Sequence, residues 1–162
     1  MRKVVMAVIL TAVLVSAPQA LAAAPSSVVG AGSGVLPAAF GPLAGDRLHV
    51  ALSAGDSKPS HFQILHENKD GGIRAELTGT VDCVNVSGTT AYVTGTITQG
   101  RVTEAPGFDP AGQTAAITVV DSGSSDQAGV DLSFFGTPHA IEPCQAVYPY
   151  MPIDRGNFNV TP

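Results

Sequence analysis

The sequence contains no tryptophan, and aromatic residues make up only 6% of it. Sugar-binding faces rely on exposed Trp or Tyr for stacking. Only Tyr92, Tyr148 and Tyr150 offer a phenol for that purpose, and the last two, beside Pro149 and Pro152, are expected to cover a core edge. Charge is also scarce, at 13%, with 8 Lys and Arg against 13 Asp and Glu. Without a basic stripe to neutralise phosphates, the chain has no footprint for nucleic acid or anionic lipid. Metal and nucleophile motifs are missing as well. There is no C-x-x-C, no H-x-x-x-H and no G-x-S-x-G elbow, so zinc and a recognisable serine-hydrolase turn have no local signal. Beyond residue 23, no stretch keeps a 3.6-residue apolar period over three turns, which argues against amphipathic helices.

What is present begins with an export pattern. Arg2 and Lys3 precede Val4 to Val15, an apolar run interrupted only by Thr11. That run is shorter than the about 20 residues a spanning helix needs. Ala20-Leu21-Ala22 then supplies the small-x-small form that precedes signal-peptidase cleavage. Residues 1–22 are therefore expected to be a signal peptide, and the protein to be secreted. No second apolar run of spanning length follows, so no transmembrane segment is expected after cleavage. The mature chain would have 140 residues, 6 basic and 13 acidic, with a net charge of −7. Its size suits one domain.

The composition of that mature chain favours strands. It has 14 Val and 12 Thr but 7 Leu and one Met. β-Branched residues fit a pleated, half-buried surface better than a helix. Residues 23–45, rich in Ala, Gly, Ser and Pro, read as a flexible leader with room for a short strand near Val35. Residues 46–162 read as a single β domain with a Pro-rich tail. Leu48, Val50 and Leu52 alternate with Arg47, His49 and Ala51. Phe62 and Ile64 share one face of the next run. Ile73 to Cys83 keeps a strict period of two, and at Val84 and Val86 the apolar phase switches, which predicts a bulge. Ala91 to Thr98, Thr114 to Val120 and Val130 to Phe134 complete six alternating runs. Gln99 to Gln113, with three Gly and two Pro, reads as a long loop. The expected architecture is an all-β antiparallel sandwich or barrel of six to eight strands.

Cys83 and Cys144 form an even pair in an exported chain, which predicts one disulfide closing a loop of 61 residues. The alternative is two separately buried thiols. In the chain-entropy model such a bridge contributes about 4 kcal/mol. Cys83 falls on the apolar phase of Val81.

Other residues that could carry chemistry have plain readings beside the functional ones. Asp121, Asp126 and Asp131 flank a Ser/Gly-rich turn, where carboxylates could hold calcium. They lack the EF-hand order, and Asp and Ser favour turns for local hydrogen-bonding reasons. His61 and His66, five apart on one strand, should face opposite sides. Glu76 and Asp82 are about 20 Å apart along a strand, beyond either glycosidase spacing. Asn85-Val86-Ser87 and Asn159-Val160-Thr161 match the glycosylation sequon, a pattern short enough to occur by chance.

The run from Gly79 to Ile97, with Val81, Cys83, Val86, Gly88, Ala91 and Gly95 between, resembles a signature of small secreted actinobacterial proteins of unknown function. Leu48 to Ala54, Asp121-Ser122-Gly123 and Asp131 fit the same group. The resemblance spans about residues 46–145 and implies an exported β domain with no assigned activity. No catalytic, cofactor or metal residue is expected. The expected role is a non-catalytic domain that binds or decorates an extracellular ligand or protein. The alternative is a small hydrolase with a site near the 99–113 loop. An inhibitory loop at Gly107-Phe108-Asp109-Pro110 is a third idea.

Overall fold

Five of the six alternating runs form strands as read in the computed structural model, which describes residues 26–55 and 59–162. The sixth lies in a strand only over residues 130–132, since that strand runs Gln127–Leu132. The expected signal peptide lies outside the described residues. In chain order the strands are β1 (Ser27–Val35), β2 (Arg47–Gly55), β3 (His61–Glu67), β4 (Ile73–Ser87) and β5 (Thr90–Val102), followed by β6 (Thr114–Val120), β7 (Gln127–Leu132), β8 (Met151–Pro152) and β9 (Arg155–Thr161). A 3-10 segment, Ala38–Leu43, joins β1 to β2. The strands make one antiparallel sheet in the order β8-β7-β6-β5-β4-β3-β2-β1-β9. It curls into a half-barrel, so the fold is a single rolled sheet rather than a two-sheet sandwich, with one strand more than the upper expectation.

Short-range pairing builds most of this sheet, because β1 to β7 run in sequence order. The ends are different. β8 lies on the β7 edge while β9, three residues on, pairs with β1 on the opposite edge. The C-terminal segment thus bridges the two edges. Ile153 N donates to Asp126 O at 2.8 Å and Asp154 N to Ser33 O at 2.9 Å. Arg47 of β2 grips Asp154 at 2.6 and 2.9 Å and so holds that carboxyl below its usual range.

β1 corrects the expectation of a flexible leader. Gly30, Gly32 and Gly34 fall on its inner face, where a Cβ would collide with the bridging segment. A methyl on Gly32 would sit 2.9 Å from the Phe158 ring, and one on Gly34 2.1 Å from Pro152 O. The glycines look like a linker in sequence because the side chains that fill their space come from the far end of the chain. Phe62, Ile64, Leu77, Ile97, Ile117 and Phe158 form the centre of the core. Phe62 lies across Gly79 and Gly95, whose added Cβ atoms would come within 2.3 and 2.9 Å of its ring.

The bulge falls one step earlier than the apolar pattern implied. Val81 pairs with Gly95 and Cys83 with Thr94, leaving Asp82 as the extra residue. Cys83 therefore faces outward with Thr94, not inward with Val81, and the inward phase resumes at Val84. Outward placement lets it bond to Cys144, with Cα atoms 5.4 Å apart. The segment around Cys144 crosses the outer face of β5, β6 and β7 as a strap. Cys144 N donates to Thr94 Oγ1 at 3.0 Å, and Val147 N donates to Thr118 Oγ1 at 2.9 Å. Thr94 and Thr118 are buried beneath it although both lie on the outer face. The 99–113 loop is also shorter than expected, since β5 continues to Val102 opposite Ala75.

Candidate functional site

One end of the rolled sheet is not filled. The starts of β2 and β4, the ends of β3, β5 and β7, and the 3-10 segment meet there around a cavity of about 120 Å³. Its walls are mainly apolar, with Leu36, Leu48, Leu77, Val102 and Leu132 among them. Phe40, Phe134, Phe135 and Tyr150 contribute aromatic rings. Phe135 is 55% exposed, which places it at the mouth. The lining residues come from five strands and three connections, so the sheet's curl creates the cavity and no local motif does.

An ionic cluster reaches its wall through His66, Arg74 and Glu104 and is anchored behind it on Asp46. Asp46, in the turn before β2, is 1% exposed. Its Oδ2 accepts from His66 Nε2 at 3.0 Å and its Oδ1 from Lys69 N at 3.1 Å. Arg74 Nε lies 2.6 Å from Oδ2, but its N–H is not aimed there, so this contact is an ion pair. The Arg74 guanidinium also binds Glu104. A buried carboxylate needs such partners, because removing one leaves an uncompensated charge. Burial pushes the His66 imidazole below its usual pKa, and the Asp46 hydrogen bond only partly opposes this. A neutral ring that donates from Nε2 leaves Nδ1 as the bare nitrogen.

This pairing predicts a pH effect. A histidine whose folded pKa is depressed stabilises the fold fully above its unfolded pKa, near 6.5, and loses that contribution as pH falls through the folded pKa. The half-exposed His139 acts in the opposite direction. Both its ring nitrogens face acceptors, Thr137 O and Asp131 Oδ2, each at 3.0 Å. Those contacts raise its pKa, the Thr137 carbonyl most strongly. Comparing His66→Gln with the parent chain isolates the first effect. In denaturant titrations the stability gap between them should narrow between pH 7.5 and 5. A gap independent of pH contradicts this assignment.

The acidic turn is structural. Asp126 Oδ1 accepts from Ser122 N at 3.0 Å and its Oδ2 from Phe158 N at 2.9 Å. Asp121 Oδ1 accepts from Gly123 N at 3.2 Å and its Oδ2 from Val160 N at 3.1 Å. These two carboxylates cap the outer edge of β9, while Asp131 stands apart with His139. His49 pairs with Glu67 at 2.9 Å, His66 turns inward and His61 is exposed. Glu76 pairs with Arg101 at 3.2 Å, and Asp82 accepts from Thr96 Oγ1 at 2.6 Å. Tyr150 covers the core edge as expected. Its hydroxyl donates to Val130 O at 3.0 Å and accepts from Val130 N at 3.2 Å. Tyr148 instead is 80% exposed. Phe108 packs on Phe134 with ring centroids 5.0 Å apart, so the proposed inhibitory loop is anchored to the pocket rim.

Asp46, Arg74 and Glu104 carry no signal in the sequence, since their partners are distant and no motif links them. Among the described residues, no helix is long and apolar enough to cross a membrane. The chain matches no family model, no curated protein and no solved structure.

Proposed function

We propose that this is an exported, non-catalytic β domain that binds a small ligand with an apolar body in the open end of the rolled sheet. The cavity carries this reading. Folded interiors are close-packed, so an apolar-lined space that opens to solvent is the default binding-site hypothesis. Export is supported by the N-terminal signal pattern and by the disulfide, which suits an oxidising exterior. The resemblance of Gly79 to Ile97 to secreted actinobacterial proteins supports the same placement.

The wall polar groups support binding over turnover. Asp46, His66 and Arg74 are engaged with one another, and they join β3 and β4 to the turn before β2. One observation favours a hydrolase instead: His66 is oriented by a buried carboxylate, as a general base would be. Ester hydrolysis abolished by His66→Gln would establish that alternative.

Benzyl alcohol is a suitable neutral probe. Calorimetric titration should show saturable binding, weakened at least about tenfold, near 1.4 kcal/mol, by Leu132→Trp, which fills the cavity. Unaltered binding by a folded Leu132→Trp protein would remove the pocket from the account.

A further inference from the structure

We propose, resting on that pocket reading, that the preferred ligands are small organic ammonium ions. Phe40, Phe134, Phe135 and Tyr150 line the cavity, and aromatic rings attract cations through their electron-rich faces. The charges around it have the complementary sign. Two carboxylates, Asp46 behind the wall and Glu104 at it, share one guanidinium, Arg74, and leave one net negative charge. His66 contributes no charge when neutral. The Asp131 carboxylate lies on the outer face with His139 and does not enter this balance. An anionic head would meet Glu104 and would have to displace a carboxylate from Arg74. An ammonium head meets aromatic rings and uncompensated negative charge instead.

Size fits the same class. The cavity of about 120 Å³ is a little smaller than the ~150 Å³ engineered cavity that holds benzene, and it is open at the mouth. A trimethylammonium head is of that size. Its methyl groups pack against apolar walls while its charge is spread over them, so it gives up less hydration than a compact ammonium.

Three probes of nearly the same shape separate charge from shape: choline, its neutral isostere 3,3-dimethylbutan-1-ol, and the anion 3,3-dimethylbutanoate. Calorimetry on the mature protein at pH 7.5 and low salt should rank choline tightest, at least about tenfold over the alcohol, with the anion weakest. Glu104→Gln should weaken choline severalfold and leave the alcohol unchanged. If that variant fails to fold, the ranking with the parent protein stands as the test. An alcohol that binds as tightly as choline, or an anion that binds best, overturns the ammonium assignment while leaving the pocket in place. If none of the three binds and benzyl alcohol does not bind either, the pocket reading falls with it.

Discussion

Cys144→Ser is expected to lower the unfolding free energy by roughly 2–5 kcal/mol, the range for native bridges in small secreted domains. Two effects combine. The bridge closes a loop of 61 residues and so restricts the unfolded chain. It also holds a strap that has little apolar periodicity of its own and that rests on the outer face through Thr94 and Thr118. Those threonines are buried only because the strap covers them, so its release hydrates both hydroxyls. The structure narrows where the damage should appear. β9 is paired with β1 and should stay in place, so early protease cuts should fall within residues 137–150. Denaturant titration and limited proteolysis check both parts. An unchanged midpoint, or two titratable thiols in the unfolded and unreduced parent protein, would contradict this account of the strap.

Phe158→Ala should be as damaging, at about 3–5 kcal/mol, the usual cost of deleting a fully buried Phe. Phe158 is 1% exposed, and its ring fills the space left by Gly30 and Gly32. The two glycines have no side chain to refill the space, and the opposing Asp126 is fixed by its own hydrogen bonds. The cavity should therefore persist rather than collapse, which puts the substitution at the costly end of its class. Urea titration of the folded variant measures this directly. A loss below about 1 kcal/mol would mean that the seam between the sheet edges is not closed by this ring.

The central hairpin was legible in sequence because its partners are close together. Ala91, Val93 and Ile97 alternate beside a turn at Ser87 to Thr90, and local alternation is what sets strand register. The disulfide followed from cysteine number and export alone. Positions whose meaning depends on distant chain were not legible. The glycines of β1 read as linker until Phe158 and Met151 are placed against them. Cys83 read as inward because one extra residue, Asp82, inverts the phase, and a bulge one step away gives nearly the same pattern. The site was the least legible part. Asp46, His66, Arg74 and Glu104 are spread over 58 positions, and they meet only because the β3–β4 turn and the end of β5 lie at the same end of the sheet. The pocket aromatics Phe40 and Phe135 lie in connections, where no periodicity marks them.

The pocket itself is tested most directly by methyl-resolved NMR of the mature protein titrated with benzyl alcohol. Shifts should saturate together at Leu36, Leu48, Val102, Val130 and Leu132, and should be absent at Val29 on the outer face of β1. Shifts scattered over the outer face, or none at the pocket methyls at saturating probe, would contradict the assignment of this cavity as the binding site.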